Sequence, residues 1–230
     1  MEHRQGDAFL ASGKPADAIA AYEKALQMNP LLNHSHGFLT KASRGFYELE
    51  GTDSPLAVLY LNSIRINWLT GDPLSSGVSE RLAESNRILS NVLFVDFQGS
   101  SLQSAILHYS IIEYIRSLVT QGLDAYTAGK IPVGIDLLRK ALSMDRNQLH
   151  TGFYLAHLQI QMGLVDEAVV TLKDMLELVD HTSIRADLLC TLGDAYTSAD
   201  RSIQAREAYM QCLEEDSLLN YRAVYNLGGT

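Results

Sequence analysis

Leu189-Cys-Thr-Leu-Gly-Asp-Ala-Tyr196, followed by Ala205-Arg-Glu-Ala-Tyr209, is the stretch that decides the fold. Gly193 and Ala205 are small residues set inside apolar helical patterns, and Asp200 between them suits a turn. Tyr209 is large, and Cys212 one helical turn later is small again. The same five-point register recurs along the chain. The first small residue is Gly6, Gly122, Ala156 or Gly193, and the turn residue is Gly13, Gly129, Gly163 or Asp200. The second small residue is Ala18, Gly134, Ala168 or Ala205. The large residue is Tyr22, Leu138, Leu172 or Tyr209, and the closing position holds Ala25, Ala141, Met175 or Cys212. This register predicts two antiparallel helices joined by a tight left-handed turn, which Gly adopts freely and Asp tolerates. The paired small residues let the helix axes approach, and the large residue is expected to fill the gap against the neighbouring pair. One pair cannot bury its own apolar face, so pairs must stack.

On these residues the chain resembles the tetratricopeptide repeat family, whose signature runs Leu-Gly, Tyr, Ala-x-x-x-aromatic and a closing Pro on a 34-residue period. Leu192-Gly193-Asp-Ala-Tyr196 and Ala205-Arg-Glu-Ala-Tyr209 carry it, as do Ala18-Ile-Ala-Ala-Tyr22, Ala25 and Pro30. Gly122 lies 34 residues before Ala156; Ala156 lies 37 before Gly193, which suggests a longer second helix or connection near residues 179–183. Arg146, Asp180 and Ser217 replace the closing Pro, so those junctions are expected to be looser. The resemblance covers about residues 1–32 and 115–219. It implies an all-α, right-handed superhelical solenoid of antiparallel helix pairs over residues 1–230, irregular in the middle. Within it fall a first repeat at 1–32, divergent helical pairs at 33–114, and clear repeats at 115–148, 149–185 and 186–220. Val224-Tyr-Asn-Leu227-Gly228 repeats Leu189-Cys-Thr-Leu192-Gly193, so 221–230 reads as the truncated start of a further repeat. A longer parent chain is the expectation.

Residues 33–114 lack the signature, but their apolar spacing predicts helices at about 34–50, 54–70, 74–93 and 100–113. Asp72-Pro73 is a start signal, and Gly51 and Gly71 are stop signals. No alternation of strand type is sustained.

The formal net charge is −9, with 18 basic residues against 27 acidic ones, and no basic run exists. That balance argues against nucleic acid as a partner. No apolar stretch is long enough to span a membrane, and the N-terminus lacks an apolar segment of signal-peptide length. A cytoplasmic setting is therefore expected, with Cys190 and Cys212 as packed thiols in a reducing compartment. No nucleophile elbow, phosphate loop or dinucleotide fingerprint is present, so no catalytic residue and no cofactor is assigned. His34 and His36 flank Ser35 without further ligands nearby, and no metal is assigned.

Family resemblance implies that a partner sits on the inner wall built from the first helix of each pair. On the shared register this wall presents Arg116, Val119, Leu123 and Tyr126, then His150, Phe153, His157 and Gln161. Asp187, Cys190, Asp194 and Ser198 follow, and finally Arg222 and Tyr225. The expected contact residues are Arg116, Tyr126, His150, Phe153, His157, Gln161, Asp187, Asp194 and Tyr225, with Phe153 and Tyr126 open to the alternative of packing between helices. Aromatic rings beside polar groups suit a short extended or helical protein segment. The chaperone-carboxylate clamp of the family is missing, because Val119, Leu123, Tyr154, Asp187 and Thr191 occupy its places. Of the asparagine ladder seen in other members, only Asn226 fits. The expected function is a non-catalytic protein-interaction scaffold. The alternatives are the N-terminal arm of a larger bacterial glycosyltransferase, sulfotransferase or methyltransferase, and self-association through uncapped ends.

Overall fold

Gly13, Gly129, Gly163 and Asp200 all adopt positive φ, at 69°, 74°, 72° and 56°. Each closes a helix in the same way. The amide of the following residue donates back across the turn: Lys14 to Phe9 O at 2.9 Å, Lys130 to Ala125 O at 2.8 Å, Leu164 to Gln159 O at 2.8 Å and Arg201 to Tyr196 O at 2.9 Å. This is a six-to-one closure that satisfies a carbonyl otherwise left bare at a helix end. In a computed structural model describing residues 2–68, 99–215 and 223–225, these four turns organise the helices. Proline then starts two of the second helices, at Pro15 and at Pro132, where its missing amide costs nothing.

The chain divides into two compact units, Met1–Ile115 and Arg116–Thr230. In the first, α1 (Glu2–Ala11) pairs with α2 (Pro15–Met28), and a 3₁₀ turn at Pro30–His34 leads to α3 (His36–Glu50). Gly51, with φ 84°, ends α3, and a second 3₁₀ turn at Pro55–Ala57 opens α4 (Val58–Trp68). Ser43 ties this junction: its Oγ donates to Leu56 O at 2.5 Å and accepts from the Tyr60 amide at 3.0 Å. The core gathers Leu10, Ile19, Tyr22, Phe38, Leu39, Phe46 and Leu59, with Leu102 and Ile106 of α5 (Ser101–Thr127).

The second unit holds the rest of α5, then α6 (Ile131–Met144), α7 (Leu149–Gln161), α8 (Val165–Leu178), α9 (Thr182–Ser198) and α10 (Ser202–Glu215). Successive helices from α6 to α10 pack on one another. Among the described residues there is no strand, and no helix is long and apolar enough to cross a membrane.

Small residues against large ones set the spacing within pairs. A Cβ on Gly6 would lie 2.6 Å from Tyr22 Cε1, and one on Gly134 would lie 2.9 Å from Gly122 O. Tyr22, Leu138, Leu172 and Tyr209 are fully buried. The large residue was expected to pack against the neighbouring pair, but it first covers the small residue of its own pair. Tyr22 does both, with its ring over Gly6 and an edge-on contact to Phe38 of α3 at 5.5 Å between centroids.

Three expectations need correction. The helix expected to stop near residue 113 continues to Thr127, because Ser110 to Thr120 contains no Gly, Pro or Asn and keeps Tyr114, Ile115 and Leu118 buried. The extra length between Ala156 and Gly193 lies in the first helix, α9, which has 17 residues against 13 in α7, while α8 has the same 14 as α6. Cys190 and Cys212 are joined as a disulfide rather than held as separate thiols, their Cα atoms 5.4 Å apart. Both occupy the facing wall of one pair, 22 residues apart in sequence. Helix 74–93, Gly71 and Asp72-Pro73 lie outside the described residues.

Candidate interaction surface

In the second unit the first helices are the C-terminal part of α5, then α7 and α9. Their outward residues are those that escape the core stripe. On α7, Leu155, Ala156, Leu158 and Gln159 are buried, which leaves His150, Tyr154, His157 and Gln161 exposed on the opposite stripe. That is the i, i+4, i+7 spacing of one helix face. Phe153 is half-buried and packs on the cluster containing Ala156, Leu172 and Met175, so part of its ring belongs to the core.

Three of the expected contact residues meet. Gln161 Nε2 lies 3.0 Å from His157 Nε2 and donates across to Tyr126 Oη of α5 at a long 3.4 Å. With the amide as donor to both, His157 accepts at Nε2 and carries its proton on Nδ1. The link joins two first helices across 35 residues of sequence. Arg116, His150 and Asp187 are exposed on the same set of helices but take no part in this cluster. Asp194 is half-buried, and its Oδ1 accepts from Tyr209 Oη at 2.7 Å. Tyr225, in the short described helical piece at 223–225, is 81% exposed.

A counterpart in the first unit was not anticipated. Tyr22 Oη donates to Asp7 Oδ1 at 2.7 Å, and Lys41 Nζ of α3 donates to Asp7 Oδ2 at 2.7 Å. Burial by itself would push the Asp7 carboxyl up, but the hydrogen bonds from Lys41 and Tyr22 and the Lys41 charge outweigh it and hold it below the usual range. Burial, then the bond to Asp7, raises the Tyr22 phenol above its ordinary value. These groups line a cavity of about 330 Å³ with His3, Ser35 and Phe38. The signal was present in sequence: Gly6-Asp7 and Tyr22 stand at the same spacing as Gly193-Asp194 and Tyr209. A larger cavity of about 690 Å³, bordered by Asn33, His34, Ser101 and His108, lies elsewhere in the first unit. Among the described residues no three His, Cys, Asp or Glu side chains converge as a metal site.

The repeated device is therefore a helix pair closed by a left-handed turn, with a small residue on one helix capped by a large one on the other. This defines a protein of stacked helical repeats. Tetratricopeptide repeat models match residues 3–32 and 186–217, the two segments in which a buried Tyr covers a Gly. These two segments are tetratricopeptide repeats by that match. It is also similar to the crystal structure of MamA, at 15% identity and TM-score 0.41 over 94% of this chain and 90% of that one. A second similar structure is YrrB, a TPR protein with an unusual peptide-binding site, at 12% identity and TM-score 0.43 over 100% and 91%. The TPR domain of P58(IPK) is similar at 15% identity and TM-score 0.47 over 97% and 62%. No curated protein matches the sequence.

Proposed function

We propose that the second unit is a non-catalytic interaction module that holds an extended segment of another protein along α5, α7 and α9. The observation that carries this reading is the Tyr126–Gln161–His157 cluster, which spans two first helices while leaving all three side chains exposed. Tyr154, 48% exposed beside it, adds aromatic area that the core does not use. Rings of this kind supply contact surface at low entropic cost, and the fixed amide and imidazole offer register-setting hydrogen bonds to a peptide backbone. Arg116, His150 and Asp187 would set charge preference at the margins of the surface, where such groups act on encounter more than on affinity. This reading requires no cofactor.

The test places a photo-crosslinking side chain at Tyr154 and, on the second-helix side of the same unit, at Met210, which is 49% exposed. Adducts with a heterologous protein from the Tyr154 position alone support the reading. Equal labelling from both positions, or adducts only of doubled chain mass, overturns it in favour of non-specific contact or self-association.

A further inference from the structure

The α9–α10 pair differs from the others at one level of its interface. Three residues before the small residue of the first helix, the four pairs hold His3, Val119, Phe153 and Cys190. Facing positions on the second helix hold Ala25, Ala141, Met175 and Cys212. The chain has two cysteines in all, and both fall at this one matched position of one pair. They are bonded, with Cys190 3% and Cys212 0% exposed, among Ala186, Leu189, Ala205 and Tyr209.

We propose that Cys190 and Cys212 form an oxidative cross-link site, a covalent lock that closes the last helix pair and is shielded from reductants once the pair has folded. It forms by exchange with a low-molecular-weight disulfide. The thiolate of one cysteine attacks that disulfide and displaces one small thiol. The other cysteine, as thiolate, then attacks the mixed disulfide and displaces the second small thiol. Both protein sulfurs are oxidised, the small disulfide is reduced to two thiols, and the two cysteine protons pass to solvent and those thiols. Reversal needs a thiolate to reach Sγ along the line of the bond. In the closed pair the side chains packed around the sulfurs block that approach, so reduction must wait for α9 and α10 to separate. The lock thereby fixes α9, which carries Asp187 and Asp194, against α10 independently of any binding function.

The experiment uses the full chain equilibrated with a mixture of oxidised and reduced glutathione, then denatured and treated with a maleimide without further reductant. The expected intact mass shows no maleimide added. Two maleimides on most molecules would overturn the proposal. On the oxidised chain, reduction by millimolar dithiothreitol should be at least roughly tenfold slower in native buffer than in urea, as opening-limited exchange requires. Equal rates would overturn the shielding. Reduction should lower the thermal midpoint by roughly 5–10 °C, the size expected for a loop of this length in a chain of this size. The same reductant should leave a Cys190→Ala, Cys212→Ala variant unmoved; an equal shift there would overturn the lock.

Discussion

Tyr22 rests on the bare backbone of Gly6, so closely that a methyl group on Gly6 would lie 2.6 Å from Cε1 of the ring. The ring cannot retreat, because it is fully buried, meets Phe38 edge-on, and is held by its hydroxyl on Asp7. Gly193 and Tyr209 stand in the same relation. Gly6→Ala gains about 1 kcal/mol of helix propensity but incurs an overpacking cost of roughly 1–3 kcal/mol. Net destabilisation of about 1 kcal/mol is expected by urea unfolding, for Gly193→Ala as well. Gly37→Ala, which meets nothing within 4 Å, serves as the control and should be neutral or slightly stabilising. Tyr209→Phe should lose about 1 kcal/mol with its hydrogen bond, and Tyr209→Ala about 3 kcal/mol or more with its ring.

The Asp7–Lys41–Tyr22 cluster predicts a specific pH dependence. A carboxyl held below its ordinary value of about 4 contributes stability above that value and loses it as pH falls through the folded value. Asp7→Asn should therefore be less stable than wild type at neutral pH, by no more than about 1 kcal/mol because the pair is partly solvated. The gap should close between about pH 4 and the acid limb. Urea midpoints across that range decide it, and a gap that stays constant to pH 3 contradicts the assignment. Tyr22, whose value is raised, contributes stability that is complete below about pH 10 and lost only as pH rises through its folded value.

At the turns, Asp200 adopts the left-handed conformation that Gly13, Gly129 and Gly163 adopt elsewhere. Asp200→Gly relieves the backbone but loosens the unfolded chain, so the two effects should cancel to within about 0.5 kcal/mol. Gly163→Asp should cost little more, whereas Gly163→Val should cost about 1–2 kcal/mol, since a β-branched residue is excluded from that region. A loss for Gly163→Asp as large as that for Gly163→Val would show that side-chain space, not backbone geometry, governs the turn.

The repeat register was legible because its cause is local. A left-handed turn restricts residue choice at one position, and helix contact restricts it at two more, so Gly13, Ala18 and Tyr22 announce themselves in order. Residues 110–120 misled for the opposite reason: no local signal marks a repeat boundary inside an uninterrupted helix, and only packing assigns Ile111 and Val119 to different cores. Cys190–Cys212 was missed because pairing depends on which faces of α9 and α10 oppose. The register supplied this for Gly193 and Tyr209, and one more turn of helix would have extended it to the cysteines. On the candidate surface, spacing placed His150, His157 and Gln161 on one stripe. The hydrogen bond that Asp194 accepts from Tyr209 is a contact that inner-wall analogy alone does not reveal.

Arg185 joins three helix ends. From α9 its Nη1 donates to Leu176 O at 2.9 Å and Val179 O at 3.0 Å, and its Nε donates to Glu215 Oε1 at 2.8 Å. Carbonyls at the end of α8 lack partners within their own helix, so the guanidinium substitutes for the missing turn while anchoring α10. Arg185→Ala should cost about 1–3 kcal/mol, because two carbonyls and a carboxylate lose their donor in a partly buried site. Glu215→Gln should cost less than about 1 kcal/mol, as the ion pair is partly solvent-exposed. Arg185→Lys separates the two contributions. A single ammonium retains the charge beside Glu215 but cannot present donors in the fixed fork that reaches both carbonyls at once. If capping of α8 dominates, Lys should recover less than half of the loss seen with Ala, and α8 amides should exchange faster in both variants. Full recovery by Lys would assign the effect to charge, and unchanged exchange in α8 would remove the capping role.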